Sequence, residues 1–356
     1  MSGEWLLIET LGSDLRVVAQ GAKPRGWRRL GNVVRGEELR AVDSLVQSCR
    51  ARGEAVLRRF GGSPDTAVGQ AIPLIGPSGD VYAVQVYLGR DDAEFEPPPK
   101  AGTFEWEPTS PDRPPRLWLS EETLDILCMD VAYRDRAIYG PADLFTRTTN
   151  MASVAQVLGA LRDPGLDGGD LQFTIRRDDG VLRRIHYVYR GVETPGGLRV
   201  RGSMMDVTAS EDRRALEIDC LDSSLAQLAF GHLGVHGAVV DTQFVRVPYV
   251  VKWLTTHPAG MGHGASTGQP PGIHPDDLPV VARLCVEART TLSKCDAQLR
   301  IRRAGGGWMQ VGVSARILNA AVFEDLMLVT MDTEDAGTVR ATEFPPVPIG
   351  VAELPA

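Results

Sequence analysis

From Leu171 to Thr208 apolar and polar residues alternate with a period of two. Leu171, Phe173 and Ile175 make one set, Ile185, Tyr187 and Tyr189 a second, and Leu198, Val200, Gly202 and Met204 a third. Alternation of this kind predicts three antiparallel strands, each with one buried and one solvated face. Asp178-Asp179-Gly180 and Pro195-Gly196-Gly197 supply the positive φ angles that tight hairpin turns require. The design recurs at residues 298–333 and, more loosely, at Ala67–Gly89. A repeat of domain length predicts a tandem array of like domains, each an antiparallel sheet of about five strands with helices on one face. The fold class is therefore α+β.

Other elements follow the same logic. Residues 1–90 form a first unit, with a strand at Trp5–Leu11, a helix predicted over Gly36–Phe60 with Leu39, Val42, Leu45, Val46 and Cys49 on one face, and strands at Val68–Ile75 and Val81–Leu88. An acidic and proline-rich linker opens at residue 91, with Pro97-Pro98-Pro99 and again Pro111–Pro115, and is assigned to residues 91–101. Phe104 and Trp106 dock onto the central domain, residues 102–209, which also holds Glu121–Met129 and a helix at Asn150–Leu161. Ser210 is the expected N-cap of a helix of about five turns over residues 210–230. Its seam, Ile218, Leu221, Leu225 and Leu228, has the three-four spacing of a helix that pairs with another; it packs either on its own chain or on a second one. The third domain covers residues 231–336. It has a hairpin of Val235–Val240 with Phe244–Val247, a glycine-rich loop at Pro258–Pro271, and a helix capped by Asp276 with Leu278, Val281, Cys285, Ala288 and Leu292 on one side. Residues 337–356 are a flexible tail whose Pro345–Pro348 segment has polyproline character.

Residues 173–182 (FTIRRDDGVL) followed by 202–208 (GSMMDVT) resemble the C-terminal half of a PAS domain. The third unit repeats the pattern as 299–308 (LRIRRAGGGW) and 328–333 (LVTMDT), behind an Ile273–Asp277 (IHPDD) segment similar to the helix opening of many PAS domains. The central unit begins in family-like fashion with 102–107 (GTFEWE) and 118–122 (WLSEE). The order resembles the triple-domain PAS-type sensor proteins of actinobacteria. The first unit lacks the Asp-Val-Thr ending and fits a PAS- or GAF-like domain. The resemblance implies a cytoplasmic sensor or signalling protein, and names no cofactor.

Composition narrows the options. A net charge of −8 argues against a general nucleic-acid binder. There is no run of eighteen apolar residues and no signal-peptide pattern, so neither a membrane partner nor export is expected. The five cysteines stand singly, which speaks for reduced thiols rather than a disulfide framework or a zinc knuckle. No Walker A loop, HExxH pair or strand-flanked GxGxxG is present. His257, His263 and His274 flank the glycine-rich loop, where loop histidines are usually solvated; His232 and His236 lie among glycines; His186 is expected on the wet face of its strand. The candidate ligand-binding residues are the aromatic and sulfur side chains of the central sheet, Trp106, Trp118, Phe173, Tyr187, Tyr189 and Met204, which either fill a core or line a small-molecule pocket.

The chain is thus expected to be a non-catalytic sensor that binds a small ligand, a downstream signalling protein, or both, and to dimerise through the 210–230 seam. A constitutive scaffold with dry cores is the alternative. An enzyme with an unfamiliar site near His257–His274 is a third.

Overall fold

The computed structural model describes residues 3–60, 67–90, 96–163, 165–261, 272–319 and 323–332. The acidic start of the linker, His263 with most of the glycine-rich loop, and the proline-containing tail lie outside the described residues. The chain forms three antiparallel sheets with helices packed on them.

The first sheet has the order β3-β2-β1-β6-β5-β4. Its strands are β1 (Leu6–Glu9), β2 (Arg16–Gln20), β3 (Lys23–Arg29), β4 (Val56–Phe60), β5 (Ala67–Ile75) and β6 (Val81–Arg90), with α1 (Leu30–Val33) and α2 (Gly36–Arg52) between β3 and β4. Val42, Leu45, Val46 and Cys49 give α2 one fully buried face. The helix expected to run to Phe60 stops at Arg52, because Gly53 turns into the left-handed region at φ 66° and closes it with a bond to Cys49 O. The residues beyond leave as strand β4.

The central sheet has the order β8-β7-β11-β10-β9. Its strands β7 (Ala101–Glu107) and β8 (Arg116–Leu119) are followed by α3 (Glu121–Leu127), α4 (Val131–Arg134), α5 (Pro141–Phe145) and α6 (Met151–Arg162). Strands β9 (Gly169–Arg176), β10 (Leu182–Thr194) and β11 (Gly197–Asp206) complete it. Gly180 and Gly197 carry the positive φ values, 80° and 101°, that the two hairpins need. Asn150 caps α6 by accepting from Ser153 N.

Two helices lead on, α7 (Arg213–Asp219) and α8 (Leu221–Leu233), and these correct the expected single helix. Its cap is Asp212, which accepts from Arg214 N, whereas Ser210 closes a short 3₁₀ turn; the helix breaks at Cys220. The third sheet repeats the central order as β13-β12-β16-β15-β14. It comprises β12 (His236–Asp241), β13 (Tyr249–Trp253), β14 (Cys295–Arg302), β15 (Trp308–Asn319) and β16 (Phe323–Asp332), with α9 (Leu278–Thr291) between β13 and β14. Phe244–Val247 belongs to the connecting loop, and the second hairpin strand starts only after Pro248, which has no N–H for a ladder. The segment before α9 is capped by the His274 ring, which accepts from Asp276 N, and not by Asp276.

Both faces of the central sheet are covered. Leu7, Val18, Ala19, Leu74 and Ala83 of the first sheet meet Ala101, Val188, Met205 and Val207 on its back. The buried Glu9 receives Arg190 at 3.1 Å across the same boundary. This overturns the exposed placement of His186. The ring shares the back face with Val188, is only 1% exposed, and bonds Asp170 at 3.0 Å. On the other side Val239, Val251 and Leu326 of the third sheet join the central core. Among the described residues no helix is long and apolar enough to cross a membrane.

Candidate functional site

Five of the six aromatic and sulfur residues singled out in the central sheet do converge on its helix-facing side, and there they fill space. Trp106 Nε1 donates to Tyr187 Oη at 3.0 Å, so the two polar tips satisfy each other. Phe104 stacks on Tyr187 with ring centroids 4.2 Å apart, Phe173 lies 5.8 Å away, and Phe145 of α5 stacks on Trp106 at 6.0 Å. Burial pushes the Tyr187 phenol well above its ordinary range. Packing is so close that Gly202 has no room for a side chain: a Cβ there would lie 1.9 Å from Val188 O and 2.6 Å from the Phe104 ring. Tyr189 sits half-buried at the margin of this cluster. Trp118 is the exception. Its neighbour Leu117 pairs with Trp106, so Trp118 faces the other side of the sheet, under the Arg199 guanidinium at 5.9 Å.

Among the described residues the equivalent space in the third domain is open. A cavity of about 670 Å³ lies between the sheet and α9. Its floor is set by strand alternation: Leu299 and Ile301 on β14, Val313 and Ala315 on β15, Met327, Val329 and Met331 on β16. Val281, Leu284 and Cys285 of α9 form the roof, at the three-four spacing that puts them on one helix face. Trp253, Met261 and Tyr249 close one side. The central domain contributes the rest of the wall through Pro114, Pro115, Tyr133 and the α5 turn around Ala142. Charged groups stand in that part of the wall: Arg147 is held by Asp178 at 2.7 Å and Asp143 by Arg136 at 3.0 Å, so these pairs are largely neutralised. Cys285 is the one thiol in the lining; burial pushes it up, away from the thiolate a nucleophile needs.

The cavity wall is also the seam between two domains. Strand β13 carries Lys252, whose buried ammonium donates to Phe145 O at 2.8 Å and to Thr148 O, capping the carbonyls at the end of α5. Burial pushes this lysine down to about 8. Trp253 N donates to Thr146 Oγ1 at 3.1 Å. Arg162 of α6 reaches the fully buried Asp241 of β12 at 2.8 Å, and Asp241 also accepts from Tyr249 Oη at 2.9 Å. The strand that walls the cavity is therefore bonded to the central domain through Lys252 and Trp253.

Of the histidines singled out, His257 lines the cavity and packs edge-on to Trp253, and His274 packs edge-on to Trp308, each with its own backbone partner. Among the described residues no group of three His, Cys, Asp or Glu side chains is placed to hold a metal ion. The seam Ile218, Leu221, Leu225 and Leu228 is no part of the cavity lining and lies on the surface, each side chain more than half exposed. Sequence reasoning missed the cavity residues as a group. The available signal was the small size of the inward positions on the third sheet.

Residues 4–99 match the family described as Rv3651-like, N-terminal. The crystal structure of an uncharacterized protein from Mycobacterium tuberculosis is similar over 94% of this chain and 98% of that one, with a TM-score of 0.70 and 23% sequence identity. This likeness establishes a shared fold across all three domains. A sensory box histidine kinase/response regulator from Burkholderia thailandensis E264 is similar over 36% of this chain and 91% of that one, at 21% identity and a TM-score of only 0.24. No curated protein matches the sequence.

Proposed function

We propose that this chain is a non-enzymatic sensor or signalling protein whose C-terminal domain takes up a small, mainly apolar molecule. The observation that carries this reading is the cavity of about 670 Å³ between sheet and α9, a size typical of small-molecule sites. Its lining favours an uncharged, flexible ligand body. Methionines at 261, 327 and 331 adapt their shape to what they contact, and the floor offers no partner for a buried charge. Cys285, the thiol in the described lining, is pushed up by burial, away from the thiolate that nucleophilic turnover needs. The position of the cavity suggests how binding is reported. A ligand pressing on β13 bears on Lys252 and Trp253, which bond the central domain, and on Tyr249, which shares Asp241 with Arg162 of that domain, so occupancy and domain packing are coupled.

Native mass spectrometry on the purified chain, together with thermal melts in the presence of 1-decanol as an apolar probe, tests the reading. A co-purified small molecule, or a saturable rise in melting temperature that Ala315→Phe abolishes, is the expected outcome. An unliganded protein that gains no stability from the probe, or gains it equally in the Ala315→Phe variant, contradicts the proposal.

A further inference from the structure

Helix α8 is mounted inside out. On an ordinary surface helix the apolar stripe faces the core and the polar residues face water. Here Ser223 turns inward, where its hydroxyl donates to Thr149 O. Phe230 follows seven residues on, against Gly237, and Leu216 precedes it by seven on α7. The opposite face presents Ile218 of α7 at 58% exposure and Leu221 at 57%, Leu225 at 64% and Leu228 at 71% of α8; Cys220 between the two helices keeps right-handed helical backbone, so the stripe runs on across it. No residue of α8 is buried. The mounting is not slack, since Asp219, at the end of α7, accepts from Thr174 Oγ1 at 2.7 Å and from Arg184 at 2.8 Å. The helix is thus anchored by its polar side with its leucines outward.

We infer that this stripe is the interface with a second copy of the same chain. Two features point to a copy rather than to an unlike partner. The spacing 218, 221, 225, 228 is three-four-three and reads the same in both directions. An antiparallel two-fold pairing therefore sets Ile218 against Leu228 and Leu221 against Leu225 of the partner subunit, as an isologous interface requires. The area is also right. Four aliphatic side chains more than half exposed amount to roughly 450 Å² of apolar surface per chain, the size of the largest, often functional, patch a monomer leaves bare. Pairing two such stripes, flanked by Ala229, buries on the order of 900 Å² of apolar surface and, with its polar rim, roughly 1,400 Å² in all, within the range of a specific interface. The inference is independent of the cavity and stands or falls apart from it.

Light scattering behind size exclusion, on the full chain at about 100 µM, with a thermal melt of each sample, decides it. The wild type is expected at twice the chain mass. Leu225→Glu, and separately Leu221→Ala with Leu225→Ala, are expected at the mass of one chain, with a dissociation constant raised at least about 100-fold because each leucine counts twice in a two-fold interface. At dilutions where the wild type is also monomeric, the variants should melt with it, since these side chains face water in one chain. A wild type that stays monomeric at that concentration overturns the inference. So do variants whose mass is unchanged while their melting temperature falls, because the stripe would then pack within its own chain.

Discussion

The central and C-terminal domains share one sheet order and differ in what fills it. On β7 the inward residues are Phe104 and Trp106; on the matching strand β12 they are Ala238 and Val240. On β10 they are Ile185, Tyr187 and Tyr189, and on β15 Val311, Val313 and Ala315. Helices α3, α5 and α6 send buried side chains into the central core, whereas α9 covers the third sheet among the described residues. Large rings under several helices give a dry core whose polar tips bond one another. Small aliphatics under one helix leave about 670 Å³ open. An aromatic-rich sheet is thus the poorer place to look for a ligand in this molecule: interiors are close-packed by default, and a cavity marks where the side chains are too small to meet.

The largest expected effect tests the filled half of this contrast. Trp106→Ala removes a fully buried indole and strips Tyr187 of its bond, and should cost about 3–5 kcal/mol in urea unfolding. Gly202→Ala comes next, at about 3 kcal/mol, because the new methyl meets backbone and the Phe104 ring with nowhere to go. A loss below about 1 kcal/mol for either would mean that the central core has slack.

Lys252 tests the join between the two domains through pH. Its folded-state pKa, about 8, lies below the unfolded 10.5. Between those values the unfolded chain holds more protons, so stability rises with pH across that window and the penalty is constant below it. The melting temperature of the wild type relative to Lys252→Met should therefore climb from pH 7.5 to pH 10, by an amount corresponding to at most roughly 3 kcal/mol. A flat difference would show that the Phe145 and Thr148 carbonyls already hold the ammonium at its ordinary pKa.

The smallest effect, and the one of opposite sign, belongs to the open half. Ala315→Phe adds a ring to a cavity wall and should change stability by no more than about 1 kcal/mol, in the stabilising direction if the ring seats well. A loss comparable to that of Gly202→Ala would mean that no such space exists.

Much of this was legible in the chain. Period-two alternation with Asp-Gly and Gly-Gly turns locates β9 to β11 and β14 to β16, because each strand keeps one apolar face. Strand β3 was missed for a local reason: Lys23–Arg29 contains Pro24 and Gly26, Trp27 adopts φ 57°, and the strand is mostly exposed, so no alternation marks it. His186 was misplaced because one sheet's pattern does not say that a second sheet will cover its back. The cavity is a difference in side-chain size between domains distant in sequence, which only the shared sheet order brings into correspondence. The seam at Ile218–Leu228 was visible as spacing, but its outward direction depends on Ser223 and Asp219 finding partners on the central domain.

Methyl NMR of the methionines tests the contrast most directly, since Met327 and Met331 line the cavity while Met204 sits in the filled core. Titrating 1-decanol into the full chain should shift the Met327 and Met331 resonances saturably and leave Met204 unmoved. Shifts at Met204, or saturation without change at Met327 and Met331, would contradict the assignment of the ligand site to the C-terminal domain.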